Sequence, residues 1–380
     1  MRMIGMPKNF IGTRPGRVYS WGGSTSIQTA SGTVVTFPQS AERAFSGLSI
    51  YGHSTQSGTP SPENPVPIVS AGDSGEINVA VSGKNLIPFP YLSPLGGAGT
   101  VYEADGVTYT VQADGGIKCV GTPTSRFGPT LCRIRFSEET LSTSGSATNG
   151  KVTLSGGPLY FDSNNNATFI YWSQYQNIPV DMIIYPQIEI GTVATAYEPY
   201  KTPQTLALST PGGLPGIPVS SGGNYTDESG QQWICDEIDL KSGKYVQRVG
   251  KGTLNSDNVP NQKVTTYDEC DVLLYQISDM ENFEGYRNLL CNKYGAFNGY
   301  WTDGLGKMSS NLGHVYFGVP KGESSISDGT EFVYPLETPI ETDLPAEEIA
   351  AYKALHTYSP NTTVSNDANA WMKVEYLTEE

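Results

Sequence analysis

The sequence predicts an all-β, multi-domain protein of sandwich or jelly-roll type, and three observations carry that prediction. Charged residues make up only 16% of the 380 positions, while 43 Gly and 26 Pro punctuate a chain rich in Tyr, Ser and Thr. Such a composition suits turn-rich sheets. Short runs of alternating apolar residues recur along the chain, and only one window near the C-terminus has helical spacing. The length exceeds what one hydrophobic core usually serves, so two or three domains are expected.

Residues 1–36 read as an extended N-terminal docking arm. No acidic residue precedes Glu42, and Phe10, Val18, Tyr19 and Trp21 are spaced too irregularly to bury a core. The formal net charge of the whole is −15, so the chain is a basic arm on an acidic body. Self-repulsion from phosphate disfavours nucleic acid and anionic lipid, whereas an acidic protein partner suits the arm. Its expected docking residues are Arg2, Lys8, Phe10, Arg14, Arg17, Tyr19 and Trp21.

A host β-domain begins at 37–82. Phe45, Leu48 and Ile50 lie near strand spacing, and the following GTPSPENPVPI is a proline-rich turn run. EINVAVS at 76–82 alternates Ile77, Val79 and Val81; QTLALST at 204–210 alternates Leu206 and Leu208. The two read as neighbouring strands, with 83–201 looped out between them as an inserted jelly-roll domain. Within the insert, VTYTVQ (107–112), GIKCVGT (116–122), RIRF (133–136), VTLS (152–155), LYFD and ATFIYW (159–172) give sandwich spacing. ADGG at 113–116 and DSNNNA at 162–167 are hairpin-turn signals.

The host domain resumes at 202–380. STPGGLPGIPV is a Gly/Pro loop, and WICDEIDL, GKYVQRVG and DVLLYQI read as further strands. One short helix is expected over 344–356. Thr342 or Asp343 can cap it, Pro345 suits its first turn, and Ile349, Tyr352 and Leu355 form an apolar stripe.

Motifs of catalysis and of cofactor binding are missing from the pattern. Three histidines, His53, His314 and His356, fall in unrelated segments, with no HExxH, nucleophile elbow, P-loop or paired Cys/His spacing. Gly52-His53-Ser54 lacks the glycine that a nucleophile elbow needs two residues after its serine. Asp162, Asn164 and Asn166 imitate the start of a calcium loop, but Ala167 replaces its glycine and Ser173 its glutamate, so a plain hairpin is the better reading. Asp236/Glu237 and Glu347/Glu348 are sequence neighbours and read as solvated or helix-end charge. The chain is thus expected to be non-enzymatic, without cofactor or metal.

Cys119, Cys132, Cys235, Cys270 and Cys291 are odd in number with no CxxC, which suits assembly in a reducing cytoplasm; a Cys119–Cys132 pair stays open. The N-terminus lacks an apolar export signal and no segment is long and apolar enough to span a membrane, so no membrane insertion is expected. Aromatic residues are the more suggestive feature. Tyr171, Trp172 and Tyr175 in the insert, and Tyr300 and Trp301 between glycines, sit among Asn, Gln and Ser, the setting that saccharide stacking needs. Filling a sandwich core is the competing role for each ring, and Tyr300/Trp301 is the better single candidate.

GKNL at 83–86, closing with QIEIGTVATAYEPYK at 187–201, resembles the carbohydrate-binding-like jelly-roll module of tail proteins of Firmicutes phages and prophages. The segments 47–72, 205–250 and 344–368 resemble the same class, so the likeness spans most of the chain beyond residue 45. The resemblance implies a virion location at the tail tip or baseplate, assembled in the bacterial cytoplasm, with other tail proteins and a cell-surface glycan as partners. It also implies a homotrimer, and brings no catalytic residue. A purely structural adaptor or decoration protein and a cell-envelope polysaccharide depolymerase are the alternatives.

Overall fold

The computed structural model describes residues 18–21, 24–29, 35–38, 42–134, 152–155, 159–164, 167–173, 175–190, 195–283, 289–297 and 304–377. These residues are nearly all β, with one helix among them. Two facing sheets form the host sandwich. The first runs Val18–Trp21, Ser24–Thr29, Trp371–Leu377, Phe45–Tyr51, Glu237–Asp239, Lys244–Leu254, Thr330–Asp343, Leu290–Cys291. The second runs Gln204–Ser209, Glu76–Ser82, Asn361–Asn366, Val35–Pro38. Leu48, Ile50, Ile238, Met372 and Val374 of the first meet Ile77, Val79, Val81, Leu206, Leu208 and Val364 of the second in one buried core.

Alternation explains which side chains face that core. Ile77, Val79 and Val81 are fully buried while Asn78 and Ala80 between them are half-exposed. Gln204–Ser209 pairs antiparallel with Glu76–Ser82, Leu206 opposite Val79 and Leu208 opposite Ile77. The chain therefore leaves the host sheet after Ser82 and returns to it at Gln204, at one end of an unbroken strand pair.

The segment expected as a free arm is in part built into the sandwich. Ser24–Thr29 pairs with Trp371–Leu377, Val18–Trp21 pairs with Ser24–Thr29, and Val35–Pro38 pairs with Asn361–Asn366. Tyr19 and Trp21 sit opposite Ser26 and Ser24 in this hairpin. Such pairing is made by backbone N–H and C=O groups, which need no apolar periodicity to find a sheet edge. Arg2, Lys8, Phe10, Arg14 and Arg17 lie outside the described residues.

The helix forms over Ala346–Ala354, starting after Pro345, with no side chain capping it. Thr342 and Asp343 are instead the last residues of the strand Thr330–Asp343, where Asp343 pairs with Lys244. Tyr352 and Leu355 enter the host core and Ile349 packs on its margin. Glu348, expected as exposed helix-end charge, is buried, and its Oε1 accepts the Ser209 amide at 2.9 Å. The helix lies against the end of Gln204–Ser209, so one of the two acidic positions of its first turn has to face that strand.

The insert has its own core of Ile87, Tyr91, Leu95, Tyr109, Ile117, Leu131 and Ile188, with Cys119 and Cys132 among them. One four-stranded sheet (Val180–Ile184, Ile117–Gly121, Val107–Val111, Val101–Ala104) covers it, beside the sheets Phe127–Ile134/Ala167–Ser173/Leu159–Asn164 and Val152–Ser155/Gln187–Ile190. The ADGG signal falls between two paired strands, whereas all of DSNNNA but 165–166 belongs to the paired strands Leu159–Asn164 and Ala167–Ser173 themselves. Cys119 and Cys132 are buried and unbridged, as are the other three cysteines. Burial pushes the Cys119 and Cys132 thiols up to about 12, which suppresses the reactive thiolate.

A third core forms where Cys270–Gln276, Lys307–Asn311 and His314–Pro320 pack against the first half of Thr330–Asp343, around Leu273, Tyr275, Met308, Phe317 and Phe332. Gly250 and Gly252 lie opposite Tyr334 and Phe332 in the ladder. A Cβ on Gly252 would meet the Phe332 ring at 2.4 Å, so the glycines leave room for rings folded across the strand.

Candidate functional site

The residues that carry the family resemblance meet at the neck of the insert. GKNL follows directly on Glu76–Ser82, and QIE lies on Gln187–Ile190, before the chain returns to the host sheet. The buried Lys84 ammonium donates to Thr195 Oγ1 at 2.6 Å and to the Ala196 carbonyl, and lies 2.9 Å from Glu198 Oε1. Glu189 is also buried: Oε1 accepts the Thr195 amide at 2.7 Å and Gln187 Nε2 at 3.1 Å, and Oε2 accepts the Thr195 hydroxyl at 2.6 Å. Asn85 donates to the Pro186 and Glu198 carbonyls and accepts the Ile87 amide. From the host strand, Asn361 donates to Glu198 Oε1. Buried charges are tolerated when paired and hydrogen-bonded, and these groups turn their donors and acceptors on one another. The cluster thereby ties the two ends of the insert to each other and, through Asn361, to the host sheet.

Of the aromatic residues singled out from the sequence, the structure describes Tyr171, Trp172 and Tyr175. Tyr175 is strongly exposed, 78% of its surface open to solvent. Tyr171 and Trp172 are adjacent positions of the strand Ala167–Ser173, paired with Tyr160 and Leu159. Tyr300 and Trp301 lie outside the described residues. For the calcium-loop candidate, Asp162 and Asn164 sit in a β ladder opposite Phe169 and Ala167 rather than in a coiled loop, and Asn166 lies outside the described residues. Among the described residues no group of three or more His, Cys, Asp or Glu is placed to hold a metal ion.

Asp236 is not the solvated charge that its sequence neighbourhood implies. The chain changes sheets at this residue, between Gln232–Cys235 and Glu237–Asp239, and its side chain turns inward. Oδ1 accepts the Arg248 and Val249 amides at 2.7 and 2.8 Å, and Oδ2 accepts the Tyr245 hydroxyl at 2.6 Å. Burial pushes the carboxyl up to about 6 despite these bonds. Glu237 faces the other way and pairs with Arg248 at 3.0 Å.

A cluster that sequence reasoning missed surrounds His53. The His53 ring packs 4.8 Å from Trp233 and 4.4 Å from Trp371, and the two indoles are 4.8 Å apart. Tyr225 stacks on Trp371 at 4.7 Å and 19°, and Tyr51 follows at 5.0 Å from Tyr225. Tyr51, Tyr225 and Trp371 are buried, while His53 and Trp233 are only half-buried. Gly52 makes this possible, because a Cβ there would lie 2.2 Å from the Pro215 carbonyl oxygen; the tight crossing lets the His53 amide bond the Leu214 carbonyl at 3.1 Å. Burial lowers the His53 imidazole below its usual range, and Asn369 Nδ2 lies 2.8 Å from its Nδ1. Ser54, the neighbouring hydroxyl, is buried against Ser70 at 2.9 Å and accepts the Gly216 amide, so it is tied into the core instead of His53. Only the GHS tripeptide hinted at this place, since its partners arrive from positions 225, 233 and 371.

Comparison with protein-family models, with curated proteins and with solved structures finds no match. Fold and contacts thus define the class: an all-β protein of several antiparallel sheets whose inserted module is locked at its neck to a host sandwich. No helix of the described residues is long and apolar enough to cross a membrane.

Proposed function

We propose that this chain is a non-enzymatic structural protein of a phage tail tip or baseplate that contributes to attachment to saccharides on the bacterial surface. The observation that supports this reading most is the fate of the GKNL and QIEIGTVATAYEPYK segments. The residues that create the resemblance are those that lock the module to the host sheet through Lys84, Asn85, Glu189 and Glu198. A module held this way is carried outward as a rigid unit, and many copies on one particle would multiply weak contacts by avidity. Five unbridged cysteines fit assembly in a reducing cytoplasm before release. The partners in this reading are other tail proteins, a surface glycan and two further copies of the chain. Gold-labelled antibody against the chain tests the location: label at the tail tip of intact particles is expected, and label on the capsid or none on the particle overturns it.

A structural adaptor is the second reading, and one observation favours it. The outer face of the insert's four-stranded sheet exposes Val101, Val120 and Ile183 in cross-strand rows with Thr110, Lys118 and Asp181, a mixed apolar and polar surface that suits packing on a neighbouring protein. Glycan-array binding by the full chain separates the two readings.

A further inference from the structure

We propose that the half-buried rings of His53 and Trp233 form the platform of a neutral-saccharide site on the host domain, built entirely from residues outside the insert. The inference rests on the attachment reading above and names a site and ligand class for it. Three features of the cluster point to this use.

First, the platform is rigid before any ligand arrives. Trp371, Tyr225 and Tyr51 form a buried ring stack beneath it. The Trp233 indole N–H donates to Asp227 Oδ2 at 2.9 Å. Asp227 is itself fixed by the Ser229 amide and hydroxyl at 2.9 and 2.7 Å and by the Gln231 amide at 3.0 Å. A preoriented aromatic face binds with little loss of conformational entropy.

Second, the rim is polar and open. Asn369, exposed, lies against the His53 ring, and the exposed Thr226 and Glu228 flank Asp227, the partner of the Trp233 indole. Apolar ring faces beside amide, hydroxyl and carboxylate groups match a pyranose, which offers an apolar C–H face and a girdle of hydroxyls.

Third, the electrostatics select against charge. Asp227 and Glu228 lie at the rim of a chain whose net charge is −15, which opposes anionic sugars. His53 is lowered by burial and packs against two indoles that also touch each other, so it supplies a neutral ring rather than a cation to attract an acid.

A purely structural role would leave the cluster tying three chain segments together and binding nothing. The test is saturation-transfer NMR and calorimetric titration of the full chain with neutral tetrasaccharides of glucose, N-acetylglucosamine and rhamnose. At least one is expected to bind saturably, with affinity reduced tenfold or more in Trp233→Ala and in His53→Ala and largely kept in Trp233→Phe. Thermal melting run beside each variant identifies loss of fold, and should either alanine variant unfold, the other carries the test. No saturable binding by any of the three sugars, or equal binding by the folded alanine variants, overturns the proposal. Adsorption of the full chain to bacterial cells is scored separately. A chain that adsorbs but shows no dependence on Trp233 sinks the platform alone, and a chain that neither adsorbs nor labels the tail sinks the attachment reading itself.

Discussion

Replacing Lys84 by methionine keeps most of the side-chain volume and removes its charge, which makes it the sharpest probe of the neck. The exposures of the side chains set the size of the effect: 9% for Lys84, 3% for Glu189 and 14% for Glu198. With so little solvent to compensate, the substitution strands two carboxylates, removes the Lys84 donor from the Thr195 hydroxyl and leaves the Ala196 carbonyl with only the longer Gln187 amide bond at 3.4 Å. Breaking a buried pair from one side typically costs about 3–5 kcal/mol. For a module of this size each kcal/mol lowers the melting temperature by roughly 4 °C, so a fall of about 12–20 °C is expected in the transition that contains the insert. Differential scanning calorimetry of the full chain reads this directly. The double variant Lys84→Met with Glu189→Gln should recover part of the loss, because it removes one stranded charge, and the two substitutions should couple by about 1–3 kcal/mol. A fall of less than about 4 °C, or simple additivity of the two, would refute the clasp as the element that holds the insert.

Asp236 makes stability depend on pH in a defined direction. Its folded value of about 6 lies above the ordinary value of 3.8, so the folded state holds the proton more tightly. Its contribution is fully present below pH 4 and is lost as pH rises through about 6, roughly 2–3 kcal/mol in all. Urea melts of wild type and Asp236→Asn between pH 4 and 7 should differ by a term that changes over this window, and a constant difference would count against it. Gly252→Val drives a side chain into the Phe332 ring and should cost about 1–3 kcal/mol in chemical unfolding; an unchanged midpoint would mean the ring is not held there. Deleting residues 1–38 uncovers the edges of Trp371–Leu377 and Asn361–Asn366, so light scattering should detect self-association that the full chain lacks, and a monodisperse truncated chain would contradict the edge pairing.

The parts of this fold that could be read from residues are those governed by alternation. Ile77, Val79 and Val81 against Leu206 and Leu208 specify a strand pair with one dry face, and that pair forms in the register that buries all five. Residues 18–38 could not be read because a backbone ladder at a sheet edge leaves no periodic trace in side-chain identity. Alternation turns Asp236 and Glu237 to opposite faces but does not say what covers a face, and here the host domain's own Tyr245 and Val249 cover one of them. The helix lacks its expected cap for a related reason. Thr342 and Asp343 continue a strand fourteen residues long, whose partner Lys244 claims Asp343.

Legibility of the candidate sites differed in the same way. GKNL and QIEIG stood out as phrases, yet their physical role appeared only when Lys84 and Glu189 were found in one buried cluster across 105 positions of chain. The His53 platform had no sequence signal beyond a glycine before a histidine, because each of its rings belongs to a different strand or loop.

The proposed role is attachment without chemistry, in which stacked sheets would present contact faces and leave the bound surface intact. Co-sedimentation of the purified full chain with purified Gram-positive cell envelopes, with the supernatant assayed for released sugar, addresses it in one measurement. The chain should pellet saturably with the envelopes while the supernatant stays free of released saccharide. A chain that remains in the supernatant, or sugar that accumulates there with time, would contradict it.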